Sequence, residues 1–358
     1  MIDSVSLYNY RNLGQLKTLI SGANLIIAPN ASGKSNFLEA IYLSALGRSF
    51  RPYDTLAEVI GDEDSFAKVE IATEKEEIST VITLTSNSLS KQHQIDGKRV
   101  TYKSLHKALP VVLFAPHSVS LVSEDPAMRR QDLDDFLKIW DLGYASIHKH
   151  YYKVLHNRNA LLKQIREGNV DPFELRFWSA ELAKTAIQLV GTRELFFEHA
   201  REHVSAKAQS IYKHTDVKFE IVYHHFHLEK GDYAKQIERQ LFQNEQKEIA
   251  AGQTLYGPHK DDYDLLMNAK PLRYLGSRGE QRLGALIWKL AQADSLKAKT
   301  DQGATLLIDD LMSELDSTHR QKTAHYLLEC GHQFIATAAD EFDVPEELKS
   351  NSTQIRLV

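Results

Sequence analysis

An α/β fold whose main sheet is interrupted by a long helical insertion is predicted by three stretches of this 358-residue chain. The apolar run Leu25-Ile-Ile27 reads as a buried strand, opens into Ala28-Pro-Asn-Ala-Ser-Gly-Lys-Ser35, and is followed by a helical pattern over residues 36–46. Far downstream, Thr305-Leu-Leu-Ile-Asp-Asp310 is a second short apolar strand, ending in two carboxylates. Between them the period changes. Leu133, Leu137, Trp140, Tyr144, Ile147, Tyr151, Val154, Leu161 and Ile165 alternate steps of four and three, a heptad pattern with Arg158 standing in its seam.

The other elements follow in order. Ile2-Asp-Ser-Val-Ser-Leu7 alternates as a strand, and residues 67–72 and 79–84 read the same way. Gln94 to Val100 reads as a hairpin with Asp96-Gly97 at its tip, and this β-rich lobe ends near Pro116. Gly143 is expected to break the first helix of the insertion. After the turn at residues 167–172, Leu175, Trp178, Leu182, Leu189, Phe196, Ala200 and Ile211 carry a second helix, so an antiparallel helical hairpin is predicted. Strand character returns at residues 217–223, a hairpin is expected around Asn268-Ala269, and a helix over residues 283–298 precedes the second acidic strand. The predicted division is a discontinuous head, residues 1–118 and 215–358, with an inserted helical arm over residues 119–214.

Composition excludes several classes. With 42% hydrophobic and 25% charged residues and no apolar run of membrane-spanning length, a soluble protein without a membrane partner is expected. The N-terminus lacks a signal-peptide core, and the single Cys330 can form neither an internal disulfide nor a cysteine zinc site, so a cytoplasmic location is expected. A net charge of −5 means that any nucleic-acid contact must come from a local basic patch. The 16 histidines show no metal-ligand spacing.

Gly33-Lys34-Ser35 closes a phosphate-binding loop, in which backbone N–H groups and a helix N-terminus cradle phosphates, lysine screens them, and the hydroxyl ligates Mg²⁺. Ala28 stands where the opening glycine belongs, and Ala31 where related loops often carry another. A left-handed backbone at either would strain it by about 1–2 kcal/mol. In Thr305 to Asp310, Asp309 is the candidate Mg²⁺ carboxylate and Asp310 the candidate base. Alone, the first stretch has a plainer reading as a helix start with a surface lysine, and the second as a buried strand before a turn. Together, 275 residues apart, they require a sheet that is interrupted and then completed. Just upstream, Ser277-Arg-Gly-Glu280 opens a helix. It is a capping box on one reading; on the other, Ser277, Gly279 and the helix N-terminus bind the γ-phosphate of a nucleotide held by a second subunit.

These motifs resemble the heads of the ATP-binding cassette and SMC families. More narrowly, the chain resembles the RecF family of bacterial DNA replication and repair proteins. The resemblance rests on Tyr10-Arg-Asn-Leu13, Gly33-Lys-Ser-Asn-Phe-Leu-Glu-Ala-Ile-Tyr-Leu43, Gly47-Arg-Ser-Phe-Arg51, Phe114-Ala-Pro116, Pro126-Ala-Met-Arg-Arg130, Arg158-Asn-Ala-Leu-Leu162, Gly257-Pro-His-Lys-Asp-Asp262 and Leu306 to Asp316. It implies an ABC/SMC-head-like P-loop ATPase that binds ATP and Mg²⁺ and forms an ATP-dependent homodimer. It further implies that the protein engages DNA at gaps and at single- and double-stranded regions, and works with RecO and RecR to promote RecA loading in DNA repair, replication and the SOS response. By position it assigns Asn30, Ala31, Ser32, Gly33, Lys34, Ser35 and Asn36 to phosphate, Ser35 and Asp309 to Mg²⁺, and Asp310 to catalysis. Ser277, Gly279 and Glu280 would act in trans, and Ser313 to Asp316 resembles the D-loop. A weak, DNA-stimulated ATPase used as a switch is implied.

Departures from the pattern bear on rate. Glu280 replaces a neutral residue and would repel a γ-phosphate unless its capping role turns it away or Arg278 and Arg282 offset it. Thr337 is left as the sensor candidate where transporters carry a histidine. For DNA, Lys149, Lys153, Lys163 and Arg166 lie in a stretch without acids between Asp141 and Glu167, with Lys149, Lys153 and Lys163 on one helical face. A solvated amphipathic face is the plain alternative, and Arg48, Arg51, Arg129 and Arg130 are rival contacts. Two other functions stay open: the nucleotide-binding subunit of a transporter, and a noncatalytic nucleotide-sensing scaffold.

Overall fold

A computed structural model describes residues 1–51, 56–61, 64–85, 88–123, 126–211, 217–225, 233–300, 303–310 and 315–357. The chain sorts into two units, Met1–Val119 with Ala206–Val217 and Ser277–Val358, and Ser120–Ser205 with Lys218–Gly276.

The first unit begins with β1 (Ile2–Tyr10), β2 (Leu13–Leu19), β3 (Ala23–Ile27) and α1 (Lys34–Leu46). It continues with β4 (Phe66–Thr73), β5 (Glu77–Leu84), β6 (Leu89–Ile95), β7 (Lys98–Arg99), α2 (Tyr102–Ala108) and β8 (Val111–Phe114). Alternation decides the first sheet: Val5 and Leu7 of β1, Ala67, Val69 and Ile71 of β4, and Ile78 and Ile82 of β5 all point to one buried face of the antiparallel order β2-β1-β4-β5-β6-β7. α1 is buried almost all round because it touches strands of this sheet and of the parallel sheet described below. It stops at Gly47, whose φ of 72° suits glycine and whose Cβ would lie 1.9 Å from the Tyr102 ring.

The second unit holds α3 (Ser120–Ser123), α4 (Pro126–Trp140), α5 (Tyr144–Arg166) and most of α6 (Leu175–Ile211). It then takes β9 (Phe219–His224), α7 (Tyr233–Gln243), α8 (Glu245–Ala251), β10 (Asp262–Met267), β11 (Lys270–Pro271) and α9 (Leu272–Leu275). The break between α4 and α5 falls at Gly143, as the pattern predicts. The expected boundary of the arm at residue 214 needs correction. Among the described residues β9, β10 and β11 pair with one another, in the order β11-β10-β9, and β10 packs on α4, so Lys218–Gly276 joins the helical unit instead of the head.

A buried polar core ties this unit together. The Arg193 guanidinium, fully buried, donates to Asp134 Oδ1 at 2.7 Å, to the Tyr144 hydroxyl at 3.1 Å and to the Pro258 carbonyl at 2.8 Å. Burial alone would raise the Asp134 carboxyl, but Arg193, His148 and Tyr144 outweigh it and hold it well below the usual carboxylate range. Arg158, the charge in the heptad seam, is equally buried and pairs with Glu248 at 2.7 Å and with Thr254 at 2.8 Å.

The stretch Gly257 to Asp262 is bound into the same core. Pro258 offers its carbonyl to Arg193, His259 sits between the Tyr151 hydroxyl at 2.6 Å and the Thr254 carbonyl, Asp261 accepts from Tyr223 at 2.6 Å, and Asp262 accepts from Arg129 and Arg273. Gly257, at φ 140°, could not carry a Cβ, which would lie 2.8 Å from the Tyr151 hydroxyl.

Burial, with lesser contributions from the Lys260 and Arg130 charges, lowers His259 to about 4, against the opposing pull of the Thr254 carbonyl and Asp261. A histidine kept neutral in the fold contributes stability that is complete above its unfolded pKa of about 6.5 and falls as pH drops toward 4. Lowering pH from 6.5 to 5 is expected to cost roughly 2 kcal/mol at this residue, since one pKa unit is about 1.4 kcal/mol. Urea unfolding at the two pH values, with a His259→Gln variant as the control that loses this slope, checks it.

The chain returns to the first unit with α10 (Arg278–Thr300), β12 (Thr305–Ile308), α11 (Ser317–Glu329), β13 (Phe334–Ala338), α12 (Glu346–Ser350) and β14 (Thr353–Gln354). Its second sheet, β14-β3-β13-β12-β8, is parallel throughout. The carboxyl ends of β3, β12 and β13 therefore lie at one edge, where open α/β sheets place their ligands.

Candidate functional site

That edge carries a cleft of about 470 Å³. Asn30, Ala31, Gly33, Lys34, Ser35 and Asn36 form one wall, and Asp309, Asp310, Pro116, Asn12 and Arg51 the rest, so strands 275 residues apart deliver both motifs to one place. Gly33 caps α1 with φ 100°, and a Cβ there would lie 2.7 Å from the Leu13 side chain. The Lys34 ammonium turns back on the loop, donating to the carbonyls of Ala28 and Pro29. Burial lowers its pKa, against the opposing pull of Asp310 and Asp309.

Opposite it, Ser35 Oγ donates to Asp309 Oδ1 at 3.0 Å. Thr337 Oγ1 donates to the same oxygen at 2.8 Å and accepts from the Asp310 N–H at 3.0 Å. Thr337 is buried and is absent from the cleft lining, so its hydroxyl orders the carboxylate pair instead of facing a phosphate. Ala31 takes the left-handed backbone, φ 65°, for which its missing glycine would be suited, at about 1–2 kcal/mol of strain. Ala28 does not; its N–H reaches the Ala338 carbonyl at 3.2 Å and prolongs the β3 ladder. Asp310 is also left-handed, at φ 49°, a strained geometry of the kind that collects at functional sites.

A second layer was missed at the level of sequence. Arg11 and Arg51, from two of the quoted stretches, converge with Ser49 on Glu39, a side chain on the buried flank of α1 with no exposed surface. Burial pushes the Glu39 carboxyl up, but Arg11, Ser49 and Arg51 overcome it and leave it below its ordinary value. Arg51 also bonds Asn36, Asn36 bonds Asn12, and Asn12 Nδ2 reaches the Ala31 carbonyl at 3.2 Å, so the chain of contacts runs back to the loop. The signal available was only that a glutamate sits in the apolar run after the loop, with arginines on both sides of it in sequence.

The remaining candidates lie elsewhere. Ser277, Gly279 and Glu280 start α10 and are not among the described residues lining the cleft. Glu280 closes the capping box on its own chain, its carboxylate accepting from both the N–H and the hydroxyl of Ser277. Asp316 caps α11 through the His319 N–H at 3.0 Å, whereas Ser313 and Glu314 fall outside the described residues. On α5, Lys149, Lys153, Lys163 and Arg166 are all exposed. The Arg166 guanidinium lies over Gly252 at the C-terminus of α8, where a cation answers the helix dipole, with the aliphatic stem of Lys163 beside it, while Lys149 and Lys153 have no ion pair among the described residues.

The residues of the cleft fit a magnesium nucleotide. A serine hydroxyl and carboxylate oxygens are hard ligands, and Mg²⁺ at phosphate sites is held by one or two carboxylates together with phosphate oxygens. No group of three or more His, Cys, Asp or Glu among the described residues could hold a metal by itself. The buried Ser32 hydroxyl, within the loop, has no hydrogen-bond partner among the described residues, and Gly33 stands at the N-terminus of α1, where loop N–H groups meet anions.

The parallel sheet, the loop at its edge and the long helical unit define a P-loop head of the SMC kind. The fold is shared with an SMC head bound to the C-winged helix domain of ScpA, at TM-score 0.56 and 15% identity over 98% of this chain and 91% of that one. The family described as RecF/RecN/SMC N terminal domain matches residues 1–352. A DNA replication and repair protein RecF from Roseiflexus castenholzii is 32% identical over 96% of this chain and 95% of its own, and that of Shewanella frigidimarina is 30% identical over 95% and 94%. A structure of the recombination mediator protein RecF with ATP, from the RecFOR pathway, superposes at TM-score 0.84 with 28% identity over 96% of this chain and 93% of that one. The chain belongs to the RecF family. No helix among the described residues is long and apolar enough to cross a membrane.

Proposed function

We propose that this protein is an ATP-switched DNA repair factor of the RecFOR pathway, in which bound ATP joins two copies head to head and the joined pair holds DNA for RecA loading with RecO and RecR. The observation that carries the reading is the single cleft in which Lys34, Ser35, Asp309 and Asp310 meet. Magnesium and ATP would supply the charge and the transferable phosphoryl group. Asn30 to Asn36 hold phosphate oxygens through loop N–H groups, and Lys34 leaves the Ala28 and Pro29 carbonyls to face them. Ser35 and Asp309 hold the metal. Asp310 orients the attacking water and accepts its proton. Ser277 and Gly279 of each copy face the nucleotide of the other, and Asp316, in the D-loop, couples the two sites. Strain at Ala31 and Asp310 suits a site that turns over slowly and serves as a switch.

Sedimentation velocity with ATP, with ADP and without nucleotide, each with and without gapped DNA, tests this. Dimers only with ATP are expected, and a monomer under every condition would contradict it.

For DNA, Lys149 and Lys153 on α5 are the uncommitted cations, with Lys163 beside them. Replacing all three by glutamine is expected to lower the slope of log affinity against log salt by about 2–3, since each duplex phosphate contact contributes about 0.9. An unchanged slope in fluorescence-anisotropy titrations would remove this stripe from the interface.

A further inference from the structure

We infer that Glu280 is a latch on Ser277 that opposes the ATP-driven joining of two copies. The inference rests on the reading that Ser277 acts on a nucleotide held by a second copy.

Ser277 precedes α10, and its polar atoms are all turned inward on its own chain. Its N–H donates to Glu280 Oε2 at 2.7 Å, its hydroxyl donates to the same oxygen at 2.8 Å, and the Glu280 N–H reaches back to the hydroxyl at 3.3 Å. A serine hydroxyl has one proton to give. Given to the Glu280 carboxylate, none is left for a phosphate oxygen. The carboxylate also places a full negative charge beside the atom that an approaching γ-phosphate must reach, and like charges at that distance repel.

Two further features make this a latch and not a buried strut. Ser277, Arg278 and Gly279 are exposed, and a Cβ built on Gly279 meets nothing within 4 Å, so a second copy has free approach to the helix start. Arg278 lies beside the box with no ion pair among the described residues, available to either anion once they separate. Opening therefore needs only rotation of the Glu280 side chain, and what drives it is a partner's phosphate strong enough to take the serine proton. ATP brings a γ-phosphate to that point and ADP does not, so the closed latch and its charge oppose ATP-driven association and bear little on any association with ADP.

Glu280→Gln separates charge from capping, because a glutamine oxygen closes the same box without a charge. Sedimentation equilibrium of the full chain, of Glu280→Gln, of Glu280→Ala and of Ser277→Arg, each with Mg-ATP and with Mg-ADP, is the test. Glu280→Gln is expected to dimerise with ATP about tenfold more tightly than the parent, with little change in its behaviour with ADP. Glu280→Ala should tighten association similarly, at a lower melting temperature because the cap is gone. Ser277→Arg should stay monomeric. Equal or weaker ATP-driven association of Glu280→Gln, with Ser277→Arg monomeric, overturns the latch. Parent-like dimers of Ser277→Arg with ATP overturn instead the reading of Ser277 on which the latch depends.

Discussion

Lys34→Ala is expected to weaken ATP binding by about 10- to 150-fold and to abolish ATP-driven association at micromolar protein. The estimate follows from the loss of a charge-assisted hydrogen bond, worth about 1.5–3 kcal/mol, where each 1.4 kcal/mol is tenfold. The Lys34 ammonium makes its hydrogen bonds to two loop carbonyls, Ala28 and Pro29, and among the described residues no side chain accepts one from it. Its removal should therefore leave the fold nearly as stable as before. Isothermal titration with ATP, alongside a thermal melt, reads both quantities. An unchanged ATP affinity would mean that the cleft at the sheet edge is not the nucleotide site.

Arg193→Met is expected to destabilise the helical unit by about 3–5 kcal/mol, the range for removing one member of a buried ion pair. The methionine fills much of the volume, but Asp134, whose side chain is 5% exposed, loses its guanidinium partner, and the Pro258 carbonyl loses its donor. Asp134 keeps Tyr144 and His148, which places the loss toward the lower end of that range. Urea unfolding reads it, and the double variant Arg193→Met with Asp134→Asn should recover part of the loss, since the charge no longer needs a partner. A loss under about 1 kcal/mol, or a double variant whose loss equals the sum of the two single losses, would show that the network does not act as a unit.

Local features were legible in the sequence because their physics is local. The strand, loop and helix over residues 25–46, the acidic strand ending at Asp310 and the break at Gly143 all appear where their patterns put them. The possible strain at Ala31 was readable from the missing glycine alone. What was not legible depends on partners distant in sequence. Periodicity marks residues 217–223 as strand, but it cannot say that β9 pairs with β10 and not with the parallel sheet, so the boundary of the arm was misplaced. Glu39 reads as an odd acid in an apolar helix until Arg11 and Arg51 close on it. Arg158 looks like a flaw in a heptad seam until Glu248, 90 residues later, pairs with it. At Glu280 the box was legible but its consequence was not, since the same spacing is compatible with a carboxylate aimed at the serine hydroxyl or away from it.

On the proposed reading each nucleotide site is completed by a second copy. Mixing Lys34→Ala with Ser277→Arg checks this, because neither variant alone should dimerise with ATP. A mixed pair still contains one site built from the intact loop of the Ser277→Arg chain and the intact signature of the Lys34→Ala chain. Analytical ultracentrifugation of the 1:1 mixture with Mg-ATP, one variant carrying a fluorophore, is predicted to show heterodimers that disappear with ADP. A mixture that sediments as monomers, like its two components, would contradict the shared site.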